Sequence, residues 1–196
     1  MYKRILSATV STQEKSHAME FSSGINLLYG KDGEDVLLTL AGIFGGMSTK
    51  SFEAALQWRD GVMLFVSGED GRVFVDNIKI ERGDPERLMK DFHKHRFLNF
   101  KNNTHILDGS RLSVGTSGTS DLLLKKLGDV LAQEDDRPLF VYNFLERLDE
   151  AVDLQPIFEV LNATGRQVFI AVPHYYEIEK IEGKQYVTTV HNISTP

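Results

Sequence analysis

Residues 21–44, FSSGINLLYGKDGEDVLLTLAGIF, contain the change from an apolar strand to a helix that decides the fold. The apolar run INLLY predicts a buried strand, and the stretch Gly30-Lys31-Asp32-Gly33 predicts a tight turn directly after it. Apolar residues then recur at helical spacing from Val36 to Phe44. A strand, a glycine-bearing turn and a helix in this order form the layout of a phosphate-binding loop.

The reactive groups of such a loop are missing from this layout. The pattern G-x-x-x-x-G-K-[ST] supplies a lysine to the terminal phosphates and a hydroxyl to Mg²⁺. Counted from Gly30, its second glycine falls on Asp35. The lysine position falls on Val36 and the hydroxyl position on Leu37. Two interpretations stay open: an altered nucleotide loop, or a plain turn followed by acidic residues, Glu34 and Asp35, that are favourable at a helix N-terminus.

The composition is that of an ordinary globular protein. Of the 196 residues, 41% are hydrophobic and 26% charged, which suits one domain. The absence of cysteine excludes disulfides and thiolate metal sites, and it fits a reducing, cytoplasmic location. No apolar run approaches the ~20 residues of a membrane span, and the N-terminus lacks the apolar core of a signal peptide. A net charge of −6 argues against a broad basic surface for nucleic acid.

Periodicity and turn signals predict an α/β fold with a mostly parallel sheet beside an antiparallel lobe, because strands alternate with helices in the second half. A short helix is expected at 51–58, SFEAALQW, and a hairpin around Asp70-Gly71. A later helix is expected to end at Gly165. Further strands are predicted at 2–10, 17–21, 138–145, 166–181 and 185–193.

Residues 84–100, DPERLMKDFHKHRFLNF, predict a helix with Asp84 as its N-cap and Pro85 at its first position. The segment contains a basic cluster: Lys90, His93, Lys94, His95 and Arg96. A solvated helix face is the ordinary interpretation of such a cluster. A nucleic-acid-binding module that uses 90–101 is the weaker interpretation, because the chain is acidic overall. Neither histidine has a metal partner at helical spacing.

Four stretches in sequence order resemble the head domains of ABC-type ATPases, most closely the structural-maintenance-of-chromosomes, RecF and YhaN-like families. The Walker A region corresponds to FSSGINLLYGKDG, the signature loop to RLSVGT, the Walker B strand and D-loop to PLFVYNFLERLD, and the switch strand to RQVFIAVPH. The resemblance implies one P-loop, head-like domain over 1–196. Its nucleotide-binding-type core would be 1–45 and 106–196. Residues 46–105 would form a short inter-lobe insertion with a β-hairpin and a helix, without the family's long coiled coil.

The resemblance implies that the groups for hydrolysis are lost. Tyr142 and Asn143 match the Walker B Asp and Glu, which in the family hold Mg²⁺ and activate the attacking water. A tyrosine cannot hold the metal, and an asparagine can position a water but cannot take its proton. The turn from Gly30 to Gly33 matches Walker A without its lysine. No catalytic residue, metal site or cofactor is therefore expected, and ATP with Mg²⁺ binds only if the alternative hypothesis below holds.

Other matches with the family stay recognisable. The signature loop corresponds to Leu112, Ser113, Gly115 and Thr116, the D-loop aspartate to Asp149, and the switch histidine to His174. In the family the signature loop contacts the γ-phosphate that the opposite subunit holds. Each match has a plainer interpretation, since a serine or aspartate before a helix is commonly a cap, and a lone histidine commonly a surface or core residue. Gln57 is a loosely spaced candidate for the Mg²⁺-sensing glutamine.

The favoured hypothesis is a non-hydrolysing pseudo-ATPase head that acts as an interaction or regulatory subunit. Its partner would be an intact ATPase head, whose ATP site Ser113 and Gly115 complete, or a second copy of the chain. The alternative is an ATP-binding or ATP-hydrolysing protein of the DNA-repair or chromosome-maintenance type, in which Lys31 replaces the missing lysine. Charge disfavours this alternative, because Glu34 and Asp35 would face the phosphates. Two like charges 4 Å apart repel by about 4 kcal/mol at an effective dielectric of 20.

Overall fold

The computed structural model describes residues 3–13, 15–45, 49–59, 62–80, 84, 86–87, 90, 106–108, 125, 128, 138–142, 155–173, 178–181 and 183–193. Within these residues the chain forms two five-stranded sheets and two α-helices longer than one turn. One sheet is antiparallel throughout and the other is parallel throughout. The predicted combination of a parallel core and an antiparallel lobe is confirmed.

The antiparallel sheet has the order β2-β1-β4-β5-β6. Its strands are β1 (Arg4–Ser11), β2 (Ser16–Glu20), β4 (Phe52–Arg59), β5 (Val62–Glu69) and β6 (Arg72–Ile80). Side chains along β5 alternate between buried and half-buried or exposed positions, which is the pattern of a sheet with one face on the core and one in solvent. The buried face of this sheet belongs to the larger of the two hydrophobic cores.

The parallel sheet has the order β10-β3-β9-β8-β7. Its strands are β3 (Ile25–Tyr29), β7 (Ile106–Asp108), β8 (Leu139–Tyr142), β9 (Val168–Val172) and β10 (Val187–Asn192). Every residue of β9 and the first four of β3 are buried, because both faces of this sheet are covered. This arrangement explains why INLLY and VFIAV read as continuous apolar runs.

Helix α1 (Gly33–Gly45) lies between the two sheets. Its apolar side chains share one core with the inner face of the antiparallel sheet and with Leu28, Phe140 and Phe169 of the parallel sheet. Helix α2 (Gln155–Ala163) covers the other face of the parallel sheet with Ile157, Phe158 and Leu161. The order of layers is therefore antiparallel sheet, α1, parallel sheet and α2.

The predicted helix at 51–58 is wrong, because Phe52–Arg59 forms strand β4. Phe52, Ala54 and Leu56 are buried while Glu53 is exposed, so the segment has the two-residue period of a strand. The good helix formers of Glu-Ala-Ala-Leu had suggested a helix. Pairing on both sides, with β1 and with β5, outweighs that local preference. As a result, three strands from within 46–105 join β1 and β2 in one sheet.

Other local predictions are confirmed. The β5–β6 hairpin turns through Asp70 and Gly71 with φ angles of 50° and 77°, so both central residues lie in the left-handed region that a two-residue hairpin loop uses. Helix α2 is followed by Gly165 with φ 64°, which is the predicted stop. The backbone N–H of Glu86 donates to Asp84 Oδ1 at 3.0 Å, as expected of an N-cap. Most of the basic cluster after it lies outside the described residues.

Candidate functional site

The turn between β3 and α1 is compact and held by its own backbone. Gly30 has φ 130°, and its N–H donates to Val172 O at 2.9 Å. The N–H of Gly33 donates to Gly30 O at 3.2 Å, which closes a four-residue turn. A Cβ at Gly33 would lie 2.5 Å from the carbonyl oxygen of Leu28. Both glycines are therefore required by backbone geometry.

Several N–H groups of this turn are already bonded to the protein. Besides those of Gly30 and Gly33, the N–H of Val36 donates to Asp32 O at 3.0 Å, which is the first hydrogen bond of α1. A phosphate-binding loop instead directs its N–H groups at the anion. Three N–H groups at this junction are therefore bonded within the chain.

The positions counted for the lysine and the hydroxyl lie in the hydrophobic core. Val36 and Leu37 are both 0% exposed and pack in the core between the two sheets. An ammonium at position 36 would be taken out of water among apolar side chains, which is strongly unfavourable. The packing of α1 between two sheets thus assigns these two positions to the core.

One of the two acidic residues in the first turn of α1, Asp35, forms an ion pair within the protein. Asp35 Oδ2 lies 2.9 Å from Lys50 Nζ, and this ion pair joins α1 to the residues that lead into β4. The carbonyl oxygen of Asp35 accepts a hydrogen bond from Thr39 Oγ1 at 2.8 Å, and that hydroxyl also contacts Thr49 Oγ1 at 2.8 Å. Because Asp35 is half exposed, its ion pair contributes only about 0–1 kcal/mol.

A second group of polar residues was not predicted from the sequence. His17 of β2 is buried, and its Nε2 lies 3.9 Å from Asp32 Oδ2, too far for a hydrogen bond. Burial lowers the pKa of His17, with a smaller lowering effect from Lys15, and Asp32 opposes them. Burial also lowers the pKa of His191 in β10, whose ring meets the edge of Phe21 at a centroid distance of 5.0 Å.

His17 and His191 line one cleft of about 350 Å³ between β2 and β10, called here the histidine cleft. The cleft is bounded by Lys15, Ser16, His17, Ala18 and Met19 on one side and by Val190, His191, Asn192 and Ile193 on the other. The two histidines are far apart in sequence, and no motif spacing connects them. Only the placing of β2 and β10, each the outermost strand of its sheet, brings them together.

Tyr142, which matches the Walker B aspartate, lies at the same edge of the parallel sheet as the glycine turn. Tyr142 ends β8, and β3 ends just before Gly30, with the parallel strand β9 between them. The carboxyl ends of parallel strands meet at one edge of a sheet, which is where ligands bind in open α/β sheets. Asn143, Asp149, His174 and the signature-loop residues at 112–116 lie outside the described residues.

Gln57 is poorly placed to sense a metal ion at the turn. It follows the buried Leu56 in β4, whose side chain faces α1 in the core. Because successive side chains of a strand point to opposite faces, Gln57 lies on the face of the antiparallel sheet away from α1.

Among the described residues, no group of three or more histidines or carboxylates is arranged to hold a metal. The described helices include none that is long and apolar enough to cross a membrane.

Comparison with known proteins shows a likeness in fold but not in sequence. No protein-family model matches the chain, and no curated protein matches it. The SMC head domain from Thermotoga maritima is similar in structure, with a TM-score of 0.60 and 9% identity over 98% of this chain and 95% of that chain. An SMC head bound to the C-winged-helix domain of ScpA gives a TM-score of 0.58 and 10% identity, with the same coverage. This chain therefore has an SMC-head-like fold, built from one parallel and one antiparallel sheet.

Proposed function

We propose that this chain is a non-hydrolysing head domain that acts through protein contacts. The observation that carries the proposal is the burial of Val36 and Leu37, which are 0% exposed at the positions where a lysine and a hydroxyl would serve ATP and Mg²⁺. A loop without these groups has nothing at those positions to neutralise the terminal phosphates or to ligate the metal. The packing of α1 is also consistent with the absence of a lysine and a hydroxyl there, because both positions contribute apolar side chains to the hydrophobic core.

The charges around the turn support the same proposal. A phosphate at the start of α1 would approach the carboxylate of Asp35, whose neighbour Lys50 is already paired with it. The three N–H groups that donate to Val172, Gly30 and Asp32 are committed to carbonyl oxygens. These three N–H groups are therefore not available to a phosphate, and within the turn Lys31 is the residue whose charge would favour one.

The direct test is to titrate the full chain with Mg-ATP and follow both heat and phosphate release. We expect no saturable heat up to millimolar ATP, no rise in melting temperature, and no release of phosphate above background. A ligand that binds only the folded state must raise its stability, so melting is an independent measure. Saturable binding that is lost in Lys31→Ala, and kept in the exposed control Lys184→Ala, would establish the ATP-binding alternative instead.

The proposed partner is a protein. A head with a similar fold has been solved with the C-winged-helix domain of ScpA bound, so protein partners are compatible with this fold. We propose an intact ATPase head whose ATP site this chain completes through Ser113 and Gly115, with Asp149 and His174 at the same interface. A dimer of two identical chains is the second arrangement. The proposal includes a cytoplasmic location, which the absence of cysteine supports.

A further inference from the structure

The outer face of the antiparallel sheet, which points away from α1, contains two adjoining clefts. One of about 520 Å³ extends toward Glu20, and the other, of about 430 Å³, extends toward Glu69. Thr9 and Glu53 line both clefts, so the two form one continuous groove, called here the acidic groove. Thr9, Glu20 and Glu53 are exposed, which shows that the groove is open to solvent.

The pairing of the strands gives this groove a floor of small side chains. One row across the five strands consists of Ala18, Thr9, Glu53, Ser67 and Phe74. Ser7 and Ala55 are partners in the neighbouring row. Because most of these side chains are short, the backbone of another chain can approach the sheet closely. Neighbouring strands lie about 4.8 Å apart, so the five strands span about 19 Å, the length of roughly six extended residues.

The charged side chains that line the groove are all acidic: Glu20, Glu53, Glu69 and Asp76. No lysine, arginine or histidine is among the residues that line the two clefts. The basic residues of β6 lie at the margin of the sheet, with Arg72 opposite Glu69 and Lys79 opposite Met63. A groove with charges of one sign attracts a partner of the opposite sign, so this one is complementary to cationic side chains.

Two aromatic rings on the same face add apolar contact area. Phe74 is 47% exposed, and with Val190 it makes up the exposed large hydrophobic side chains among the residues that the structure describes. The ammonium of Lys79 lies 5.2 Å from the centroid of the Phe65 ring, so this face already holds a cation against an aromatic ring. Lysine and arginine combine an apolar stem with a charged head, and rings beside carboxylates match both parts.

Other occupants fit this groove less well. Nucleic acids and anionic membrane surfaces carry phosphates, which the four carboxylates would repel. The described residues contain no group of three or more carboxylates or histidines that could hold a metal ion. In a two-fold dimer the same patch of both copies meets, and here that would bring acidic residues against acidic residues.

We propose that the acidic groove docks a lysine- or arginine-bearing segment of a protein partner. Its carboxylates pair with the cationic heads, its small floor admits the partner backbone, and Phe74 contacts the side-chain stems. The proposal rests on the proposed function in one respect, that the chain acts through protein contacts. The groove residues belong neither to the glycine turn nor to the signature loop, so this surface is separate from the one proposed for an ATPase head.

The test is a selection of random displayed peptides of about 12 residues on the full chain. We expect the recovered peptides to be enriched in lysine and arginine, and their synthetic forms to bind more weakly as sodium chloride is raised. Glu53→Lys should weaken binding by about tenfold or more, whereas the control Glu179→Lys, the same charge change at an exposed residue outside the sheet, should change it less than about twofold. Phe74→Ser should weaken binding several-fold, and the control Val190→Ser should not.

Backbone ¹H–¹⁵N NMR of the wild-type chain with a selected peptide locates the binding surface without any substitution. We expect the signals of Thr9, Ala55 and Ser67 to shift and to saturate. The proposal is overturned if no peptide is recovered, if the recovered peptides have no excess of lysine and arginine, or if the shifts lie outside the groove. Equal effects of Glu53→Lys and Glu179→Lys would also overturn it.

Two further measurements separate this proposal from its neighbours. If sedimentation shows a dimer of the chain alone that both Glu53→Lys and Lys90→Glu dissociate, the occupant is the basic cluster of a second copy, and the proposal of another protein is wrong. The peptide measurements contain no nucleotide, so their failure leaves the assignment of a non-hydrolysing head intact. Conversely, saturable binding of Mg-ATP beside normal peptide binding would overturn that assignment and leave the groove in place.

Discussion

The side-chain amide of Gln167 hydrogen-bonds both backbone groups of Ile5. Its Oε1 accepts from the N–H of Ile5 at 2.8 Å, and its Nε2 donates to the carbonyl oxygen of Ile5 at 2.8 Å. The same Nε2 donates to Ser22 O at 2.7 Å. Gln167 directly precedes β9 of the parallel sheet and Ile5 belongs to β1 of the antiparallel sheet, so one buried amide joins the two sheets. The pairing of β1 with β4 shifts register just after Ile5.

Replacement of the Gln167 amide by an apolar side chain should lower the stability of the folded protein. Gln167→Leu keeps the approximate volume but leaves the N–H and carbonyl of Ile5 without partners in a buried environment. We expect a loss of about 2–4 kcal/mol in the free energy of unfolding, measured by urea denaturation. The control Gln13→Leu, at an exposed bend, should change stability by about 0.5 kcal/mol or less. Equal effects of the two substitutions would show that the Gln167 bridge does not stabilise the sheet junction.

The glycine at the start of α1 should not tolerate a side chain. In Gly33→Ala the added methyl would meet the carbonyl oxygen of Leu28 at 2.5 Å, and the backbone of the turn would have to move. We expect a destabilisation of about 1–3 kcal/mol by thermal or urea unfolding. The control is Gly128→Ala, because Gly128 is helical and a Cβ there meets nothing within 4 Å. That change should be neutral or stabilising by up to about 1 kcal/mol.

Restoring the lysine of the phosphate-loop pattern should destabilise the folded protein. Val36→Lys places an ammonium at a position that is 0% exposed, and we expect a loss of about 3–5 kcal/mol in unfolding free energy. The control Asp35→Lys puts the same side chain on the exposed side of the turn and should cost about 1 kcal/mol.

The fourfold change Glu34→Ser, Asp35→Gly, Val36→Lys and Leu37→Ser tests the match to Walker A directly. If that match is right, the fourfold variant gains affinity for ATP, measured by calorimetry on whatever fraction remains folded. Because both core positions change, we expect the gain to be accompanied by a lower melting temperature. A folded variant that gains no affinity would mean that the turn is not a degenerate Walker A loop.

Stability should fall when the pH drops below neutral. Burial lowers the pKa of His17 and of His191 from the ordinary value of 6.5, so the unfolded chain takes up protons that the folded chain does not. The stabilising contribution is therefore complete above pH 6.5 and is lost as the pH falls through the folded pKa values. Urea unfolding between pH 8 and pH 5 measures this slope. The double variant His17→Gln, His191→Gln should have a flatter profile, and an unchanged slope would assign the effect to other groups.

The partner proposal has its own test in a mixed complex. If an ATPase head that binds this chain is found, Ser113→Arg should reduce ATP hydrolysis by the complex by about tenfold or more, the range seen when groups near transferring phosphates are disturbed. The isolated variant should keep its melting temperature. The control Ser23→Arg changes an exposed residue just before β3 and should leave hydrolysis unchanged. Full ATPase activity of the complex with Ser113→Arg would show that Ser113 does not act as a signature-loop residue.

Short-range chemistry made much of the fold predictable from the sequence. The apolar run of β3, the glycine turn after it, the Asp70-Gly71 hairpin and the stop at Gly165 all depend on residues within a few positions of each other. The same holds for the missing lysine and hydroxyl, since motif spacing is a local property. The overall likeness to an ABC-type head followed from four such local stretches in order, and the fold comparison confirms it at the level of an SMC-head-like fold.

Other features of this protein depend on its tertiary structure and could not be predicted from short stretches of its sequence. Phe52–Arg59 is a strand because β1 and β5 pair with it, although its residues favour a helix. Val36 and Leu37 are core residues because α1 is enclosed by two sheets, a fact that no window of the sequence contains. His17 and His191 share a cleft, and Gln167 meets Ile5, only after strands distant along the chain are brought together. Hydrophobic burial is non-directional, so the sequence specified which side chains leave water, and the pairing of the strands determined which of them meet.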